Sequence, residues 1–216
     1  MTMENNPIKT FNSWAEQNKD LGMEKNHAES VNFMLQKTPS RITSNKFSFL
    51  DIGCGNGWVV RKVNDLENCI KSVGIDGAKN MINKANSLSP NLDYIQADLD
   101  NLNYNEKFDV VFSMEVLYYL KDPLKTLKHI YSKMINDNGF FIMGIDHYLE
   151  NKPSLSWPKD LDLNLQTFTI SEWVNLVNRA GFKNVNYEQV GQKENWAGTL
   201  LIYANNRSEE HTSELQ

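Results

Sequence analysis

The 216 residues suit a single domain; at 40% hydrophobic and 23% charged, the chain is too apolar for a disordered tail and long enough to bury a core. A formal net charge of −5 carries no basic excess, which argues against a nucleic-acid partner, because gripping a phosphate backbone takes clustered Lys and Arg. Two cysteines, Cys54 and Cys69, make no metal site by themselves, so no metal is expected, and their scarcity fits a reducing, cytoplasmic compartment. No apolar run opens the chain as a signal peptide and no stretch approaches about 18 apolar residues, so the expectation is a cytoplasmic monomer or homodimer away from membranes.

Residues 1–46 are polar and read as an N-terminal helical segment. Phe47 to Ile52 is a short apolar run ending in Gly, a buried strand. A helix follows over Trp58 to Leu66, then a strand over Ile70 to Ile75. Gly77 to Ser87 is helical, with Met81, Ile82 and Ala85 on one face. Leu92 to Gln96 and Phe108 to Ser113 are the third and fourth strands, the fourth apolar enough to be covered on both faces. Asp122-Pro123 starts a helix, since Asp accepts from orphan N–H groups and Pro suits the first turn; Leu124, Leu127, Ile130 and Met134 form its stripe and Asn136-Asp-Asn-Gly139 ends it. Phe140 to Ile145 is the fifth strand.

Residues 147–169, with Pro153, Trp157 and Pro158, form a polar insertion long enough to imply a functional, substrate-facing loop. Ser171 to Ala180 is a helix stopped by Gly181. Val185 to Val190 and Thr199 to Ala204 close the sheet as an antiparallel pair across a short turn. The result is an α/β fold: a doubly wound, seven-stranded, mostly parallel sheet over residues 47–206, with the antiparallel pair at one end. The last ten residues, Arg207 to Gln216, lack periodicity and match the in-frame translation of a sequencing-adapter oligonucleotide; they are read as non-native.

The strongest local signal is Phe49-Leu-Asp-Ile-Gly-Cys-Gly-Asn-Gly-Trp58, a glycine turn between a strand and a helix. Glycines there let the backbone approach a ligand and take positive φ. Asp76 ends the next strand, where a carboxylate can accept both hydroxyls of a ribose. A dinucleotide fingerprint needs Gly where this chain has Trp58, and Asp51 would repel a pyrophosphate but suits a ligand carrying an ammonium group.

With these residues in order, the chain resembles the class I S-adenosylmethionine-dependent methyltransferases, of the small-molecule type near the quinone O-methyltransferases. Val73 to Ala85 is similar to the segment with the ribose-binding acid, Tyr94 to Leu99 to the segment whose Asp reads adenine, and Phe108 to Leu117 to the fourth-strand motif. Asn138-Gly139 stands where the fifth-strand motif usually has two glycines. The resemblance covers residues 47–145 and implies a Rossmann-like fold, S-adenosyl-L-methionine as methyl donor and S-adenosyl-L-homocysteine as product. It implies that Asp51 and the turn Gly53, Cys54, Gly55, Asn56, Gly57 hold the methionine part. Asp76, with Gly77 and Met81 beside it, would bind the ribose, Asp98 and Leu99 the adenine, and Ser113 and Met114 would lie near the sulfonium.

Strand order reverses between the first and fourth strands, so the reacting methyl belongs near Met114 to Leu120. Candidate bases there are Glu115, Tyr118 and His147, and candidate acceptor contacts are Phe11, Trp14, Tyr118, Tyr119 and Trp157. Tyr118-Tyr119 replaces the Glu-His of the quinone enzymes, which argues against metal-assisted chemistry. Phe11 to His27 and the stretch around Trp157 are expected to fold over the donor as a lid. The function expected is methyl transfer to a small-molecule acceptor. The rivals are an RNA or protein methyltransferase working with a partner, a non-catalytic adenosine-binding module and, ranking last, a nicotinamide oxidoreductase.

Overall fold

The computed structural model describes residues 6–206; the tail from Arg207 lies outside them. Seven strands make one sheet: β1 (Phe47–Ile52), β2 (Cys69–Asp76), β3 (Asp93–Gln96), β4 (Phe108–Met114), β5 (Ile135–Ile145), β6 (Lys183–Val190) and β7 (Thr199–Asn205). Their order is β3-β2-β1-β4-β5-β7-β6, and only β7 runs against the rest. The order reverses between β1 and β4, which opens a crevice at their carboxyl ends.

Period-two alternation assigns each central side chain to one face. Leu50, Ile52, Val111, Phe141 and Met143 point into one core, with Trp173 and Val177 of a covering helix. Phe49, Phe112, Phe140 and Ile142 point into the other, with Val31 and Met34. Both faces are therefore covered, as the apolar strands require.

The helices are α1 (Pro7–Glu16), α2 (Asp20–Gln36), α3 (Ser40–Thr43), α4 (Trp58–Asn64), α5 (Lys79–Leu88), α6 (Pro123–His129), α7 (Trp157–Leu161) and α8 (Ile170–Ala180). α1 begins where the Asn6 side chain accepts from the Ile8 N–H ahead of Pro7. It then lies on the start of α5, where Asn12 Oδ1 accepts from the Asn80 N–H at 2.7 Å. α2 crosses the sheet at Gly144, where an added Cβ would sit 2.8 Å from Met34 Sδ. α8 is fixed by a reciprocal cap between Thr169 and Glu172.

Besides shifts of one or two residues at other element ends, three features differ from the sequence reading. The helix expected from Asp122 to Asn136 is α6 followed by a wider π-turn over Ile130–Met134. β5 starts at Ile135 rather than Phe140, paired with Phe108, and residues 136–139 form a bulge inside the strand. Asn138 sits there at φ +66°, so Asn-Gly makes the bend its chemistry favours without ending the strand. The insertion is also more built than a polar loop: a 3-10 turn (Lys152–Ser156) precedes α7, over buried Tyr148, Asn151 and Ser154. Asn151 accepts from the Ala197 N–H and donates to the Asp146 carbonyl, which ties the insertion to the closing strands. Among the described residues no helix is long and apolar enough to cross a membrane.

Candidate active site

The turn after β1 has three positive-φ glycines, and two of them are demanded by their neighbours. A Cβ on Gly53 would stand 2.1 Å from Val116 at the exit of β4, and one on Gly57 would strike the Tyr94 ring at 2.4 Å. At Gly55 (φ +53°) a Cβ would meet nothing, because that residue faces open space. Asp76 shapes the turn by accepting from the Gly55 N–H at 2.9 Å and the Ala78 N–H at 2.7 Å.

Above the turn is a cavity of about 870 Å³. Asp51, Gly53, Cys54, Gly55, Asn56, Asp76, Gly77, Met81, Asp98, Leu99 and Met114 all line it. Burial pushes Asp51 well above the ordinary carboxylate range, and the nearby charge of Asp76 adds to the effect. Burial also raises Asp76, partly offset by its two backbone donors. A buried and a half-buried carboxylate on one cavity wall favour a guest carrying positive charge beside hydroxyl donors.

Gly57 and Ser113 do not line this cavity, contrary to expectation. Gly57 is packed against Tyr94, and Ser113 Oγ donates to the Ile52 carbonyl at 3.0 Å, pinning β4 to β1. Asn56 lines the cavity, but its amide serves the fold: it donates to Asp20 Oδ2 at 2.8 Å and accepts from the Trp58 N–H. Asp98 accepts from the Asp100 N–H and from Asn101 Nδ2, so it caps the turn Leu99–Asn101 at the cavity edge.

A second cavity, about 770 Å³, adjoins the first. Trp14, Tyr118, Tyr119 and Trp157 line it, whereas Phe11 lines the first cavity, edge-on to Tyr119 at 5.1 Å. The two cavities share Met23, His27, Glu115 and Tyr119. Glu115 is buried at φ +60° just beyond β4; its carboxylate accepts from the Tyr118 hydroxyl at 2.6 Å and from the Asp146 N–H. Burial and the Asp146 charge push Glu115 up to about 8.

Tyr118 donates to Glu115, and burial pushes its hydroxyl well above 10, so it is a fixed donor and not a base. His147 is also corrected. It is buried and lines neither cavity, Nδ1 faces the Ser154 carbonyl and Nε2 faces the Thr167 hydroxyl, so no free nitrogen is left for a base.

The sequence reading missed His27, Asp20 and Asp146. His27 Nε2 lies 3.5 Å from Asp146 Oδ2, and ligand-type atoms of His27, Glu115 and Asp146 lie within 4.8 Å of one another. Asp20 is buried between Asn56 and Lys84 Nζ, the latter at 2.7 Å. The available signal was an Asp and a His seven residues apart on one helix, which puts both on its inner face.

A glycine turn flanked by Asp51 and Asp76, at the switch point of a doubly wound sheet, is the arrangement expected of a donor site in the class I S-adenosylmethionine-dependent methyltransferases. The chain belongs to the methyltransferase domain family, whose model matches residues 19–187. It is 28% identical over 139 residues to malonyl-[acyl-carrier protein] O-methyltransferase 1 of Ilyobacter polytropus, covering 61% of this chain and 52% of that protein. It is 31% identical over 144 residues to the tRNA U34 carboxymethyltransferase of Campylobacter jejuni subsp. doylei, covering 62% and 48%. The chain thus spans about half the length of the curated relatives it matches. A Haloferax volcanii methyltransferase, solved with the Trm112 methyltransferase activator, shares the fold at TM-score 0.80 and 23% identity, over 92% of this chain and 98% of that one.

Proposed function

We propose that this chain transfers a methyl group from S-adenosylmethionine to a small-molecule acceptor. The supporting observation is the pair of cavities meeting at Met23, His27, Glu115 and Tyr119: one suits the donor and the other, walled by aromatic rings, the acceptor. Asp51 would face the amino-acid part, Asp76 the ribose, and Asp98 with Leu99 the adenine, with Met114 at the wall toward the acceptor. Bound there, the donor supplies an activated methyl on a sulfonium. The chain's own contribution is alignment and exclusion of water, worth about 7–11 kcal/mol in well-oriented reactions. Glu115, at the junction, is the group placed to take the acceptor's proton. α1 and α2, carrying Phe11, Met23 and His27, act as the lid over both cavities.

The test has two parts. Calorimetric titration with S-adenosylhomocysteine reads donor-site binding, and label from methyl-tritiated S-adenosylmethionine into metabolite pools reads turnover. Binding without turnover in any pool would favour an adenosine-binding module instead.

A second reading, methylation of an RNA or protein alongside an activating subunit, draws on the tRNA-modifying relative and on the Trm112 complex. The same assay with bulk tRNA and an added Trm112-type activator separates the two; label in tRNA would overturn the small-molecule reading.

A further inference from the structure

We propose that the second cavity binds its acceptor as a cationic amine, with the ammonium group seated on Asp146 and flanked by Trp14, Trp157 and Trp196. The proposal rests on the methyltransferase reading and narrows it to one substrate class.

Asp146 has a side chain only 9% exposed, and its Oδ1 is buried with no hydrogen-bond partner among the described residues. An unmatched buried carboxylate oxygen is costly unless a donor reaches it. The surrounding groups cannot supply one. Glu115 in its ionised form, the form that acts as base, has no proton to give, and both its oxygens accept, from Tyr118 and from the Asp146 N–H. His27 Nδ1 lies 2.8 Å from the Met23 carbonyl and so donates there, which leaves Nε2 toward Asp146 Oδ2. Two carboxylates thus share one imidazole, and Oδ1 is left for an incoming N–H.

Charges at the mouth do not alter this balance: exposed Lys19 and Lys193 are matched by exposed Glu29 and Asp160. The walls are aromatic, with the rings of Trp157 and Trp196 6.3 Å apart and those of Tyr118 and Tyr119 4.4 Å apart. Aromatic faces attract cations, most strongly where water is excluded. A carboxylate acceptor would meet Asp146 and Glu115 with like charge. A hydroxyl would satisfy Oδ1 but bring no charge for the rings.

The chemistry balances. The ammonium gives one proton to ionised Glu115, and the freed nitrogen lone pair forms the new N–C bond to the methyl. The C–S bond breaks with its electron pair going to sulfur, leaving a neutral thioether and a methylated ammonium.

The full chain is incubated at pH 8.5 with methyl-tritiated S-adenosylmethionine and three panels: small aliphatic and aryl amines, alcohols and phenols, and carboxylic acids. Label is expected in the amine panel alone. Asp146→Asn should raise the amine KM by about 10- to 100-fold, the loss of one charge-assisted hydrogen bond, with little change in S-adenosylhomocysteine affinity. Trp157→Leu, at a half-buried site, should raise the same KM, a check should D146N fail to fold. Label in phenols or acids overturns the inference, and so does a requirement for added Co²⁺ or Zn²⁺, which would put a metal ion where the ammonium is proposed. Absence of label from amines while S-adenosylhomocysteine binds overturns it too, yet leaves the methyltransferase reading standing. Failure to bind S-adenosylhomocysteine overturns both.

Discussion

His27 and Asp146 face each other at 3.5 Å, joining the N-terminal helical layer to the exit of a central strand, with Glu115 beside them. Glu115 and His27 both hold their protons more tightly than usual here, and this gives the protein a distinctive pH response. Glu115 is raised from 4.5 to about 8 by burial and by the Asp146 charge. A raised carboxyl contributes stability that is fully present below about 4.5 and is lost as pH climbs through about 8. Burial pulls His27 down, but its bond to Asp146 and the two carboxylate charges raise it overall, so its contribution also fades as pH rises. The urea midpoint should therefore fall between pH 5 and pH 9. Glu115→Gln should flatten that fall, and an unchanged slope would refute the assignment.

Tyr118→Phe removes the hydroxyl that donates to Glu115 at 2.6 Å. That bond favours the charged form, so its loss should move the alkaline rise of kcat/KM up by about one pH unit. Plotting kcat/KM against pH for both proteins reads it directly; superimposable profiles would remove Glu115 from the role of base.

Asp76→Asn keeps the size of the side chain but gives up charge-assisted acceptance from two backbone N–H groups and from a ribose. Affinity for S-adenosylhomocysteine should drop about 10- to 100-fold in calorimetry. Retained affinity would place the nucleoside elsewhere.

Asp20→Ala leaves buried Asn56 without its acceptor and Lys84 without its charged partner, with only Asn18 Oδ1 to bond. Removing one member of a buried charged network costs about 2–4 kcal/mol, read as a lower urea midpoint at unchanged slope. A cost near zero would mean that α2 is held by its apolar face alone.

The donor side of the site was legible because its determinants are local. Asp51, the glycine turn and Asp76 lie on two consecutive strands and a turn, where residue type and spacing carry the geometry. The acceptor side was not. Glu115 and His27 are 88 positions apart and meet only once α2 has folded across the sheet. His147 looked like a loop residue, and only the folded insertion shows both of its nitrogens engaged. Asn136 to Gly139 carried a true local signal, since Asn138 does turn, but pairing of Ile135 with Phe108 kept the strand going. Tertiary pairing overrode the local preference there.

One helix lines both cavities. α2 sends Asp20 to the glycine turn and Met23 and His27 to the partition between the two chambers. A guest in either cavity would contact that helix, so any ordering of it by the first is already in place for the second. Donor product and acceptor analogue should accordingly reinforce each other's affinity, by the same factor in either order of addition.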